Sequence, residues 1–111
     1  MEIEKIVPYD EDADVNYETA CFVMGSVISI YHSWKFVETY KETPDRKYIA
    51  ELREKYGQIV RERKALRVKD RERVNLAIEK YSTLLKELRV DERYRKNSDL
   101  VDSIFKKICL N

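Results

Sequence analysis

Residues 61–74 read RERKALRVKDRERV, in which Arg61, Arg63, Lys64, Arg67, Lys69, Arg71 and Arg73 stand against Glu62, Asp70 and Glu72. Arginine offers a planar fork of N–H donors that fits phosphate oxygens, and lysine a compact mobile charge, so such a run has the chemistry of a phosphate grip. In that reading the nucleic-acid contacts are Arg61, Lys64, Arg67, Lys69, Arg71 and Arg73. The competing reading is a solvated helical surface whose charges pair with acids four residues away. Arg63 stands apart because it occupies an apolar register position, where its stem can lie along a core while its head reaches water.

The beginning of the chain has the opposite sign. Glu2, Glu4, Asp10, Glu11, Asp12, Asp14 and Glu18 face only Lys5 in the first twenty residues. An acidic arm of this kind can enter a basic groove on a partner protein, or dock against the basic stretch of a second copy. Tyrosine combines a flat apolar ring with a polar edge, which suits protein interfaces. Tyr17, Tyr31, Tyr56 and Tyr81 fall on apolar seams and read as core, whereas Tyr9, Tyr40, Tyr48 and Tyr94 do not. The candidate partner-binding set is therefore Tyr9, Asp10, Glu11, Asp12, Tyr40, Tyr48 and Tyr94.

Catalytic chemistry has no comparable signature. His32 has no second histidine to complete a metal site, and the sequence offers neither a glycine-rich phosphate loop nor a recognisable nucleophile and base pair. Cys21 and Cys109 lack zinc-ligand spacing and read as buried thiols. We therefore expect no enzyme activity, no cofactor and no metal. The tail DLVDSIFKKI, with the arginine-bearing helices before it, loosely resembles the small helical chorismate mutases, whose sites combine arginines, a lysine and an acid or amide. The likeness covers little of the chain, and no site residue is carried over from it.

The elements that must position these residues follow from composition and periodicity. The chain has 111 residues, of which 39% are charged, yet 22 bases against 21 acids leave a net charge of +1. An electrostatic partner must then read a local patch, because no global field exists to attract a polyanion. Two glycines and two prolines are too few to punctuate an all-β chain of this size, so the balance favours helices.

A first helix is expected from about Asp14 to Tyr40, on a seam of Tyr17, Cys21, Met24, Ile28 and Tyr31. Phe22, Val23, Val27, Ile30 and Phe36 broaden its apolar surface, which makes it central; a strand through residues 20–31 is the competing form. Gly25, Ser29 and Ser33 form a small-residue strip that lets another backbone approach. No charge interrupts Thr19–Trp34, but sixteen residues are short for a membrane span, and no membrane insertion is expected. Thr43 and Pro44 read as the cap and first residue of a second helix, with Ile49, Leu52, Tyr56, Ile59 and Leu66 on its seam. A third seam is Val74, Ile78, Tyr81, Leu85 and Leu88. The two registers are out of phase, which predicts a tight turn at 67–70 with Asp70 as a cap, and hence a helical hairpin over 45–89 in preference to one long helix. Ser98 reads as the cap of a short last helix burying Leu100, Val101, Ile104, Phe105 and Ile108.

The expected fold is all-α: a small bundle of three to four helices with a central apolar first helix, a charged helical hairpin and a short C-terminal helix, preceded by an acidic arm over 1–13 and forming one domain over 14–111. The acidic N-terminus lacks the basic and apolar run of a secretory signal, so an intracellular, cytoplasmic protein is expected. Its expected function is protein binding, as a helical inhibitor, adaptor or accessory subunit on a larger assembly; an anti-defence protein of a phage or mobile element suits the size and charge pattern. The alternative is a nucleic-acid-binding small subunit that uses the basic tip. The broad apolar faces of the first helix also make a homodimer credible.

Overall fold

The computed structural model describes residues 11–110 and consists of four helices: α1 (Glu11–Thr39), α2 (Arg46–Ala65), α3 (Arg71–Arg89) and α4 (Glu92–Leu110). No strand occurs among the described residues, so 20–31 is helical and the expected all-α bundle is present. The first ten residues of the acidic arm, Tyr9 and Asp10 among them, lie outside the described residues.

α1 is the mast on which the other three helices are mounted, and α2 and α3 each pack along it with no close backbone approach to one another. Its buried stripe is Ala20, Met24, Val27, Tyr31, Trp34 and Glu38, repeating at four, three, four, three and four residues. Cys21 and Ile28, expected at the centre of the seam, lie at its half-buried margin. The stripe is rotated because Ala20, fully buried, allows α2 and α3 to close on both sides of it. Leu52, Ile59 and Leu66 from α2 and Val74, Tyr81, Leu85 and Leu88 from α3 complete the core. Each such apolar side chain contributes about 1.5–3 kcal/mol by leaving water, offset by the entropy of ordering the chain.

The turn between α2 and α3 falls where the change of register placed it. Leu66 leaves the helix at φ −68° and ψ 139°, and the Asp70 carboxylate accepts the Arg73 N–H at 3.2 Å as the cap of α3. Two other helix starts differ from expectation. α2 is capped by Asp45 instead of Thr43, with the Asp45 side chain accepting the Tyr48 N–H at 3.1 Å and Glu38 of α1 accepting the Asp45 N–H at 3.0 Å. α4 begins at Glu92, six residues before the expected Ser98 cap, because the Asp91 carboxylate takes the Arg93 N–H at 2.8 Å and extends the helix backwards.

α4 packs against the C-terminal half of α1 and touches α3 only near their junction. Its expected apolar face is half uncovered: Val101 and Ile104 are partly buried, but Leu100, Phe105 and Ile108 are exposed. A three-helix core leaves no second surface on which to bury that face. Cys109 is likewise exposed and Cys21 half-buried, both as free thiols, which corrects the expectation of two buried cysteines.

Candidate functional site

Besides the basic tip, three regions are candidates. The first is the junction of α1, α2 and α4, built around Arg93. Its guanidinium makes a paired contact with Asp91 at 3.0 and 2.8 Å, donates to the Tyr48 hydroxyl at 2.7 Å and lies 4.1 Å from the centre of the Trp34 ring. Hydrogen bonds from the Arg93 side chain and then its backbone pull the Asp91 carboxyl down to about 2, and Arg93 is raised in return. Beside this clamp, Glu38 accepts from the Asp45 backbone and from Lys41 Nζ at 2.9 Å, and the Asp45 N–H holds its carboxyl below the usual range against the opposing effect of burial. A cleft of about 250 Å3 runs past Trp34, Glu38, Lys41, Arg93, Lys96 and Leu100. Its Arg93, Lys41 and Lys96 are paired with Asp91, Glu38 and Glu92. The arrangement fastens helix ends together and presents no free charge pair for catalysis.

The second region lies between α2 and α3. The Tyr81 hydroxyl, on a residue only 2% exposed, donates to Glu62, which also accepts from Gln58 at 3.4 Å and lies 3.5 Å from Lys80 Nζ. Burial, and then the bond to Glu62, raises Tyr81 far above an ordinary phenol; Glu62 is lowered, the bond from Tyr81 and the charge of Lys80 outweighing the upward effect of burial. With Tyr81, Gln58 and Lys80 as its partners, this carboxylate is a structural tie between the two helices.

The basic tip is organised differently from its appearance in sequence. Arg61 pairs with Glu54 at 3.2 Å, Arg67 donates to the Lys64 and Leu66 carbonyls at the end of α2, and Arg73 pairs with Asp70 at 3.4 Å. Lys64, Lys69 and Arg71 are exposed on the same end. Arg63 is half-buried and lays its head over Gly25 of α1. α2 runs antiparallel to α1, which places the acidic start of α1, including Asp12, Asp14 and Glu18, at the same end as the tip. The acidic and basic segments are therefore neighbours and offset one another within the molecule.

The third region is the outer surface shared by α1 and α4. Val15, Phe22, Ser29 and Phe36 lie seven residues apart along α1, and Thr19, Ser26, Ser33 and Tyr40 form a second series seven apart. Together they make a four-three seam on the side of α1 away from the core, with no charged residue in it. The Thr19 hydroxyl bonds back to the Val15 carbonyl at 2.8 Å and the Ser26 hydroxyl to the Phe22 carbonyl at 3.0 Å, which leaves this seam little unmet demand for water. α4 covers the later part: Asn97 donates to the Ser33 hydroxyl, and Phe105 stacks on Phe36 at 5.6 Å, itself 4.9 Å from the Tyr40 ring. The earlier part is open, with Phe22 72% exposed. A groove of about 430 Å3 separates the two helices, lined by Ile28, Ser29, His32, Ser33, Phe36, Val101 and Phe105.

Of the partner-binding residues expected from sequence, Tyr40 belongs to this surface. Tyr94 is exposed on the other flank of α4, Asp12 is exposed at the start of α1, Glu11 opens α1, and the Tyr48 hydroxyl is occupied by Arg93. The clamp on Arg93 and the outer seam were missed in the sequence. Only the seam carried a detectable signal, the second four-three spacing without charge. No group of residues able to hold a metal ion and no helix long and apolar enough to cross a membrane occurs among the described residues. No protein-family model, curated protein or solved structure matches this chain.

Proposed function

We propose that this chain is a non-enzymatic protein-binding module, an adaptor, accessory subunit or inhibitor, that docks through the outer face of α1 and α4. The observation that carries the reading is the uncovered apolar side of α4 and its aromatic ladder, in which Tyr40, Phe36 and Phe105 follow one another at ring-contact distances, with Ile108, one turn after Phe105, also exposed. A contiguous apolar surface on a chain so rich in charge is a docking signature, since each such side chain covered by a partner contributes about 1.5–3 kcal/mol. The engagement of Glu38, Glu62 and Arg93 in structural ties supports a role that needs no reactive group.

The test is photo-crosslinking from a benzoylphenylalanine placed at Phe105, with a control at Lys69 on the basic tip, in extracts of the source cells. Protein adducts from position 105, absent from position 69, are the expected outcome. The nucleic-acid alternative is tested by fluorescence anisotropy on single-stranded RNA and duplex DNA at low and physiological salt. Salt-steep binding abolished by Arg67→Glu and Lys69→Glu, with no protein adduct at 105, would replace the proposal with a phosphate grip.

A further inference from the structure

α2 and α3 each pack on α1 without a close backbone approach to one another, so a furrow runs between them. The bond from Tyr81 to Glu62 crosses this furrow. On the Leu84 side of that bond lies a hollow of about 260 Å3, where Tyr31 of α1 meets Lys55 and Ile59 of α2 and Lys80, Tyr81 and Leu84 of α3. We propose that this hollow is a binding site for a small carboxylic acid with an apolar body, held as its anion. The site is separate from the α1–α4 docking face and stands or falls independently of it.

Charge is the first argument. No acid lines the hollow, while each of its walls carries an ammonium. Lys55 Nζ lies 5.7 Å from the centre of the Tyr31 ring and Lys80 Nζ lies 4.9 Å from that of Tyr81, so each head is held over a ring of the lining. Lys80 is shared with Glu62 at 3.5 Å. Lys55 has no ion-pair partner among the described residues.

Tyr31 supplies the second argument. The residue is only 6% exposed, yet its hydroxyl has no hydrogen-bond partner among the described residues. Polar groups in such surroundings are normally paired, as the Tyr81 hydroxyl is with Glu62. Burial pushes the Tyr31 phenol above its ordinary value, with Arg93 and Glu87 acting on it in opposite senses, so it stays protonated and able to donate. Lys55 and the Tyr31 hydroxyl are therefore donors without an acceptor, beside the shared Lys80. A carboxylate, whose two oxygens offer about four lone-pair positions, can accept from all three.

The rest of the lining selects what the carboxylate is attached to. Buried Ile59, half-buried Leu84 and the two tyrosine rings form an apolar wall that a ring or branched chain would cover. Sulfate or phosphate would meet the donors and leave that wall in water.

The experiment is a titration of the 15N-labelled full chain with sodium phenylacetate at constant ionic strength, followed by amide NMR shifts, with 2-phenylethanol and sodium sulfate as controls. Saturable shifts centred on residues 55–59 and 80–84 are expected, with a Kd of about 0.1–1 mM, as suits so small a ligand. Each control should bind at least about 10-fold more weakly, since one lacks the charge and the other the apolar body. Lys55→Gln is the decisive variant: Lys55 is exposed, so the spectrum should otherwise be retained while affinity for phenylacetate falls by about 5-fold or more. Tyr31→Phe, which removes only the unpartnered hydroxyl, should weaken binding in the same direction.

No saturable shift with phenylacetate, benzoate or isovalerate up to about 20 mM overturns the proposal. Sulfate binding as tightly as phenylacetate would reduce the site to two surface lysines, and 2-phenylethanol doing so would reduce it to an apolar hollow. Wild-type affinity in Lys55→Gln would place the carboxylate elsewhere. Each of these results rejects the site.

Discussion

Replacing Glu38 by alanine should cost about 2 kcal/mol and should do so only while the wild-type carboxylate is ionised. Glu38 sits on the last turn of α1 with its side chain 7% exposed, accepts the Asp45 N–H at 3.0 Å and contacts Lys41 Nζ at 2.9 Å. Hydrogen bonds to a charged group contribute about 1.5–3 kcal/mol. The Lys41 contribution is discounted to well under ~1 kcal/mol because its ammonium is largely in water.

For a domain of this size, ~2 kcal/mol lowers Tm by about 10 °C. The carboxyl is held below its ordinary value of 4.5, chiefly by the Asp45 N–H. Its contribution is therefore complete above that value and is lost as pH falls through the folded-state pKa. Thermal and urea unfolding followed by circular dichroism at pH 7 and pH 3 should show the two proteins well separated at pH 7 and converging at pH 3. Glu38→Gln keeps an acceptor for the Asp45 N–H and should lie between them at pH 7. A Glu38→Ala protein within about 0.5 kcal/mol of wild type at pH 7, or an equal gap at both pH values, would refute the view that this carboxylate ties α1 to the cap of α2.

Three further outcomes are expected. Gly57→Ala should stabilise the protein by about 0.5–1 kcal/mol in urea unfolding, because a Cβ there meets Arg61 Nη1 only at an ordinary 3.4 Å, while Gly25→Ala should gain less because its Cβ comes within 3.0 Å of Arg63 Nη1. Tyr81→Phe should destabilise by about 1–2 kcal/mol, since Glu62 loses its buried donor, and the loss should be smaller when Glu62→Gln is combined with it in a double-mutant cycle. Arg93→Lys removes the paired contact with Asp91 and weakens the stacking over Trp34, so hydrogen exchange of α4 amides should accelerate about 10-fold or more while α3 amides change little.

Much of the helical layout was legible because local rules act locally. The register mismatch between Leu66 and Val74 located the turn, and Asp70 could be named as a cap since its side chain reaches a donor three residues on. Ser98 and Thr43 misled for the same reason: capping residues compete, and Asp91 and Asp45 won where the backbone geometry favoured them. Arg93 was not legible as a junction because, apart from its neighbour Asp91, its partners Trp34 and Tyr48 reach it from two other helices.

The amino-acid sequence alone determined that α1 is apolar over most of its circumference and that α2, α3 and α4 are amphipathic, since helical periodicity is written in the spacing of side chains. It could not say which sides of α1 would be covered. That depended on the tertiary arrangement: α2 and α3 close over Ala20 and Val27, α4 reaches only the later half of the outer seam, and Phe22 is left in water. Likewise, the acidic and basic segments looked like separate poles, and only the antiparallel course of α2 brought them to one end. Periodicity sets which face of a helix is apolar, but whether that face is buried or left for a partner depends on how many other helices can fit around it.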